Sequence, residues 1–210
     1  MSTDVTRDFA FGLPKAELHL HLEGTLEPDL KLALARKNGV DIGQSTVEEV
    51  RATYQFNDLT SFLAVYYPAM DVLQDEDDFH DLAAAYFERA RANGVVRAEC
   101  FFDPQAHTSR GIAIETVIRG YHRAVVEARE AGLSADLILC FLRDMSAQSA
   151  LETLQAALPY KDMFIGVGLD SDERDNPPTK FAEVFALARE AGLHVTMHCD
   201  IDQVGSIDNI

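Results

Sequence analysis

The order of helical and extended signals predicts an α/β fold built on a parallel sheet, either a (β/α) barrel or an open doubly wound sheet. Three observations carry this. Apolar extended runs alternate with amphipathic helical stretches almost from end to end. Two helical stretches that precede strands end on the same Ala-Gly-Leu, at residues 131–133 and 191–193, where glycine takes the left-handed turn and leucine re-enters the core. No internal repeat, low-complexity tract or polar linker interrupts the chain, so residues 1–210 are expected to form one domain.

Residues 16–22 read as the first strand. Four helices follow as a long insertion: 27–37, a stretch opened by Ser45 with Glu48 in capping-box spacing, 58–73 and 75–92. Asn93-Gly94 closes the last of these, and 95–102 reads as the second strand. A helix over 112–131, a third strand over 135–141 and a helix over 146–158 come next. The fourth strand is expected over 164–169, a helix over 179–191 and the fifth strand over 194–198. Strands reached through helices in this way pair in parallel.

Composition limits the function classes. Eighteen Lys plus Arg stand against 35 Asp plus Glu, a net charge of −17, which repels phosphate backbones and anionic lipid. Nucleic acid and membranes are therefore not expected partners. With 47% hydrophobic and 25% charged residues, the chain has the make-up of a folded globular protein. The opening twelve residues hold two Asp and no long apolar run, so neither a secretory leader nor a membrane anchor is expected there. Cys100, Cys140 and Cys199 are too few and too widely spaced for a disulfide framework, and a reducing cytoplasm is the expected location.

The chemistry concentrates in Lys15-Ala-Glu-Leu-His-Leu-His-Leu-Glu-Gly24. Strand residues two apart share a face, so Leu18, Leu20 and Leu22 fall on one side and Glu17, His19, His21 and Glu23 on the other. Unpaired buried polar groups cost about 1 to 3 kcal/mol each, and a divalent cation would compensate this face. Imidazoles at i and i+2 can converge on one ion, and a catalytic zinc needs about three protein ligands plus an open position. His198 is the candidate third ligand, because it ends the fifth expected strand at the rim where barrels carry their active sites. His80, His107, His122 and His194 are expected to be structural. Cys199 should point away from His198 along the strand and pack.

These residues carry a family resemblance. The run Leu13-Pro-Lys-Ala-Glu-Leu-His-Leu-His-Leu-Glu-Gly-Thr-Leu-Glu-Pro28 resembles the opening of the adenosine and adenine deaminases of the amidohydrolase superfamily. Ala98-Glu-Cys-Phe-Phe-Asp-Pro-Gln105, with His107, Thr108, Arg110 and Gly111, is most similar to the adenine deaminase branch. The resemblance spans the whole chain and implies a TIM (β/α)8 barrel, of which these residues cover about the first five strands. It implies zinc on His19, His21 and His198, with Glu23 beside the substrate. Adenosine deaminases carry Asp at that place, and the longer side chain fills space that ribose would occupy, which favours the free base. The segment Gly168-Leu-Asp-Ser-Asp-Glu173 resembles the loop whose backbone N–H contacts the purine, with Ser171 at the family's glycine. The family's proton-shuttling Glu is replaced here by Ile201; Asp202 is the expected substitute and Asp200 the second choice. Two-metal members carry a lysine at the end of strand four, which residues 164–169 lack, so a single zinc is expected.

The implied function is hydrolytic deamination of a small-molecule 6-aminopurine, adenine to hypoxanthine and ammonia, with adenosine to inosine as the alternative. Zinc activates water for attack at C6, and an acidic group protonates the ring nitrogen. A reading of another class comes from length. The fold typically takes about 250 residues or more, and the chain holds neither the family's later His-Gly motif nor its Ser-Asp-Asp motif, which orient the water and supply a fourth ligand. The expectation is therefore a piece of a longer enzyme, which alone would be a catalytically incompetent partial barrel.

Overall fold

The computed structural model describes residues 2–57 and 59–199. Five parallel strands form one sheet in chain order: β1 (Lys15–His21), β2 (Val95–Phe102), β3 (Ser134–Leu142), β4 (Gly166–Asp170) and β5 (His194–Val195). A doubly wound sheet reverses its strand order at a switch point, whereas an arc that advances one strand at a time is that of a (β/α) barrel. Of the two architectures open to the sequence, the structure is the barrel type.

A helix not expected from the sequence, α1 (Ser2–Gly12), precedes β1. The insertion after β1 contains α2 (Pro28–Asn38), α3 (Val47–Ala52), α4 (Leu59–Ala69) and α5 (Glu76–Ala92). The capping box of α3 lies one residue beyond the expected pair, on Thr46 and Glu49. Ser45 instead donates its hydroxyl and its backbone N–H to Glu49 Oε2, so it cannot serve as the cap. Helix α4 stops at Ala69 and gives way to a 3-10 turn over Met70–Val72, after Pro68. The sequence also missed α6 (Pro104–Thr108), which precedes α7 (Ile114–Glu130); α8 (Ala147–Ala157) and α9 (Ala182–Glu190) complete the set. Among the described residues no helix is long and apolar enough to cross a membrane.

Helices α5 and α7 each bury one long apolar stripe. Phe79, Leu82, Ala83, Tyr86, Phe87 and Ala90 are buried on α5, and Val117, Ile118, Tyr121, Ala124, Val125 and Ala128 on α7, both at the i, i+3, i+4 spacing of one helix face. They join Cys100, Phe102, Leu137 and Leu139 of the sheet in one core. Gly120 lets the two helices meet: a Cβ there would lie 2.5 Å from the Glu76 carbonyl oxygen and 2.6 Å from Phe79 Cβ.

The alternation expected for the first strand breaks in the middle. Glu17 pairs with Ala98 and Leu20 with Cys100, so β1 advances three residues while β2 advances two. That extra residue is a bulge, which re-aims the side chains around it. Glu17 therefore turns to the helical layer, where its Oε2 accepts a 2.7 Å hydrogen bond from Tyr86. Leu18, expected under helices, lines the inner face of the sheet with Arg97, Glu99 and Phe101. Glu23 lies past the strand in a 3-10 turn over Leu22–Thr25. The fifth strand is shorter than expected, yet its backbone stays tied to β4 through Thr196 N–H to Val167 O (3.0 Å) and His198 N–H to Leu169 O (2.9 Å).

Candidate metal centre

Parallel strands present their C-terminal ends together, and the three candidate ligands meet there. His198 Nε2 lies 2.9 Å from His19 Nε2 and 2.9 Å from His21 Nε2. His19 and His21, two residues apart, share the inner face, and both rings rest on Phe101 at 4.8 and 5.0 Å. A neutral ring nitrogen carries either one proton or one lone pair, so a single Nε2 cannot satisfy two neighbours with two good hydrogen bonds. One cation can take all three lone pairs. Nitrogen ligands at about 2.0 to 2.1 Å suit zinc, and three of them leave a position open. The residues present therefore fit the metal that the sequence implied.

The other nitrogen of His21 is held by carboxylates. Its Nδ1 is 3.3 Å from Asp170 Oδ2 and 3.7 Å from Asp103 Oδ1, at the ends of β4 and β2. A carboxylate at Nδ1 keeps the proton there and turns the Nε2 lone pair toward the cluster. Burial lowers the His21 pKa, but hydrogen bonds to Asp103 and then Asp170 more than reverse this and push it up to about 10. Burial and the neighbouring rings push His198 down to about 4, and burial followed by the Asp170 charge pushes Asp103 up to about 7. Negative charge on one side of His21 thus favours positive charge near it. His21, Asp103 and Asp170 are themselves close enough to form a second potential ligand group.

Above the histidines lies a cavity of about 480 Å³, walled by Phe62, Leu63, Tyr66 and Tyr67 of α4 and by Ser171. Ser171 has φ +71°, a left-handed conformation that favours glycine, the residue that the resembling family has at this position. Its Oγ accepts a 2.9 Å hydrogen bond from Tyr67, which ties α4 to the turn after β4. Glu23 does not line this cavity but an adjoining one of about 280 Å³, which shares Gly24, Thr25, Phe62 and Tyr66 with it. Asp200 and Asp202, the candidate proton carriers, lie outside the described residues.

Several neighbours escaped sequence reasoning. Asp103 and Asp170 stand at strand ends within the motifs that carry the resemblance, and that position at the rim was the available signal. His107, expected to be structural, is fully buried against Glu23 with Tyr121 and Arg110 around it. Cys199, expected to pack away from His198, instead lines the cavity beside it and is half-buried. Arg143 donates to the His198 carbonyl at 3.0 Å and to the Asn176 carbonyl at 2.9 Å, fastening the third histidine from behind. Cys100, Cys140 and Cys199 form no disulfide with one another.

The model of the adenosine deaminase family matches residues 14–202. An adenine deaminase of Geotalea uraniireducens is 57% identical over 187 residues, 89% of this chain and 53% of the relative. An uncharacterized deaminase of Schizosaccharomyces pombe is 52% identical over 209 residues, 99% of this chain and 61% of that protein. Among solved structures, adenine deaminase from Arthrobacter aurescens superposes with a TM-score of 0.89 at 50% identity, covering 92% of this chain and 59% of the other. An amidohydrolase from Burkholderia ambifaria with bound zinc gives 0.79 at 30% identity, covering 94% and 55%. The chain thus spans between 52% and 61% of the length of the curated relatives it matches.

Proposed function

The chain belongs to the adenosine deaminase family, and from that premise we propose that the complete protein hydrolyses the exocyclic amine of a 6-aminopurine, adenine in preference to adenosine. The single observation that carries this reading is the meeting of three imidazole Nε2 atoms under a cavity of about 480 Å³ with an aromatic wall. The relatives named as adenine deaminases support the choice of base. His19, His21 and His198 would hold one zinc per site. When bound, zinc supplies the Lewis acidity that makes water nucleophilic near neutral pH.

The chain's own residues supply the remaining steps. Asp170 and Asp103 orient His21 so that its Nε2 faces the cluster. The aromatic wall from α4 excludes bulk water and presents flat apolar surface to a purine ring. The backbone at Ser171 faces the ring edge from the turn after β4, and Glu23 lies beside the substrate. Asp202, or secondarily Asp200, donates a proton to the ring nitrogen as water adds at C6, takes one back from the added water, and that proton passes to the exocyclic amine, which departs as ammonia when the C–N bond breaks. The few, widely spaced cysteines support a cytoplasmic place in purine metabolism.

The test is direct. The complete, zinc-loaded protein is expected to deplete adenine absorbance as hypoxanthine forms, faster than it converts adenosine, and to carry one equivalent of zinc. Failure to turn over either purine would sink the reading, and two equivalents of zinc would sink the single-metal assignment.

A further inference from the structure

Glu23 receives three donors on one of its two oxygens. Oε1 accepts from the Asp103 backbone N–H at 3.1 Å, from His107 Nε2 at 3.1 Å and from the Tyr121 hydroxyl at 3.0 Å. Oε2 is equally buried and has no hydrogen-bond partner. Leaving a carboxylate oxygen buried without a donor is costly, and such an atom marks a place that a ligand completes. The place for such a ligand is the adjoining cavity, lined by Glu23 and Gly24, which shares Gly24, Thr25, Phe62 and Tyr66 with the cavity above the three histidines.

His107's other neighbour decides where its ring proton sits. Arg110 Nη2 lies 2.9 Å from His107 Nδ1, and a guanidinium has donors but no lone pair. Nδ1 must accept, so the proton sits on Nε2 and is donated to Glu23. Arg110 is fixed in turn by the carbonyls of Met70 and Leu73, each at 3.1 Å, while Phe79 packs edge-on against the imidazole. Donation therefore runs one way, from Arg110 through His107 to Glu23 Oε1. Rotating the carboxylate to exchange its oxygens would break three hydrogen bonds at once.

Resting on the deaminase reading above, we infer that His107, through the tautomer set by Arg110, is a positioning residue that presents Glu23 Oε2 as the acceptor for a ring N–H of a free purine base. A free base carries such an N–H on its imidazole ring. A nucleoside has the sugar there and offers no proton. A site built around a donor strongly rejects an analogue that lacks it, so this arrangement selects base over nucleoside independently of the bulk of ribose.

The probes are adenine and 9-methyladenine, which keeps the amino group and loses the ring N–H. Their binding to the zinc-loaded full chain is measured by calorimetry, together with zinc content and the ¹⁵N NMR signature of His107. The wild type is expected to show the Nε2–H tautomer and to bind adenine about 100-fold tighter or more than 9-methyladenine. His107→Leu and Tyr121→Phe each remove one donor and should shrink that ratio about 10-fold at unchanged zinc content. His107→Gln, which restores an N–H donor, should recover most of it. Arg110→Gln should leave the ring in place but mix its tautomers and lower the ratio. An Nδ1–H tautomer in the wild type, or a ratio that none of these variants moves, overturns the inference. Equal binding of the two purines overturns the role of Glu23 alone; a zinc-loaded wild type that binds neither purine overturns the deaminase reading and this inference with it.

Discussion

Two polar clusters branch from one stretch of chain, where Glu23 follows His19 by four residues, one partly exposed and one buried, and they solve opposite problems. At His19, His21 and His198, nitrogen faces nitrogen, and the lone pairs stay in conflict until a cation joins them. At Glu23, His107 and Tyr121, donors face an acceptor, and one oxygen is already saturated. Each cluster contains a histidine whose task is set from its far side. A carboxylate behind His21 keeps the proton on Nδ1 and leaves the Nε2 lone pair facing the cluster; a guanidinium behind His107 forces the proton onto Nε2 and makes it a donor. The residue type alone therefore says little about role, and the group at the second ring nitrogen decides it.

Substitutions can break that contrast, beginning with the largest expected effect. His19→Ala or His198→Ala should abolish stable zinc binding, because two imidazoles fall short of the three or so protein ligands a catalytic zinc takes. Metal analysis after dialysis reads this, and retention of a full equivalent would remove the cluster from consideration. Asp170→Asn should weaken zinc by about 10- to 100-fold, since the partner of His21 Nδ1 loses its charge. Competition with a chelator measures it, and unchanged affinity would separate Asp170 from the metal. Glu23→Gln should leave zinc affinity alone but cost about 1 to 3 kcal/mol in a urea titration, because three donors lose their carboxylate. A fall in zinc affinity instead would merge the two clusters into one. The smallest effect belongs to Tyr67→Phe, which removes only the 2.9 Å bond to Ser171 and should cost about 0.5 to 1.5 kcal/mol without touching either cluster.

The contrast also explains what was legible in advance. His19, His21 and His198 were legible because His-x-His on a strand and a histidine at a later strand end both report the same rim of a parallel sheet. Ser171 was legible from its neighbours, and its positive φ explains why the resembling family places glycine there. The alternation of Glu17 and Glu23 with the histidines was not. The bulge between Glu17 and Leu20 is set by how β1 docks on β2, which no local pattern announces. It sends Glu17 to Tyr86, while the turn after β1 carries Glu23 into a separate cluster.

Sequence alone determined the class of fold, the order of strands and helices, and the three histidines at the strand ends, because periodicity and turn residues are local and a parallel sheet gathers its C-terminal ends whatever the details. Tertiary structure decided which side each neighbour faces and which nitrogen or oxygen it engages. Asp103, Asp170, His107 and Arg110 acquire their roles only through contacts across more than one element, at distances of 2.9 to 3.7 Å that depend on how helices and strands dock. Hydrogen-bond direction is a property of pairs, and pairs distant in the chain exist only once it has folded.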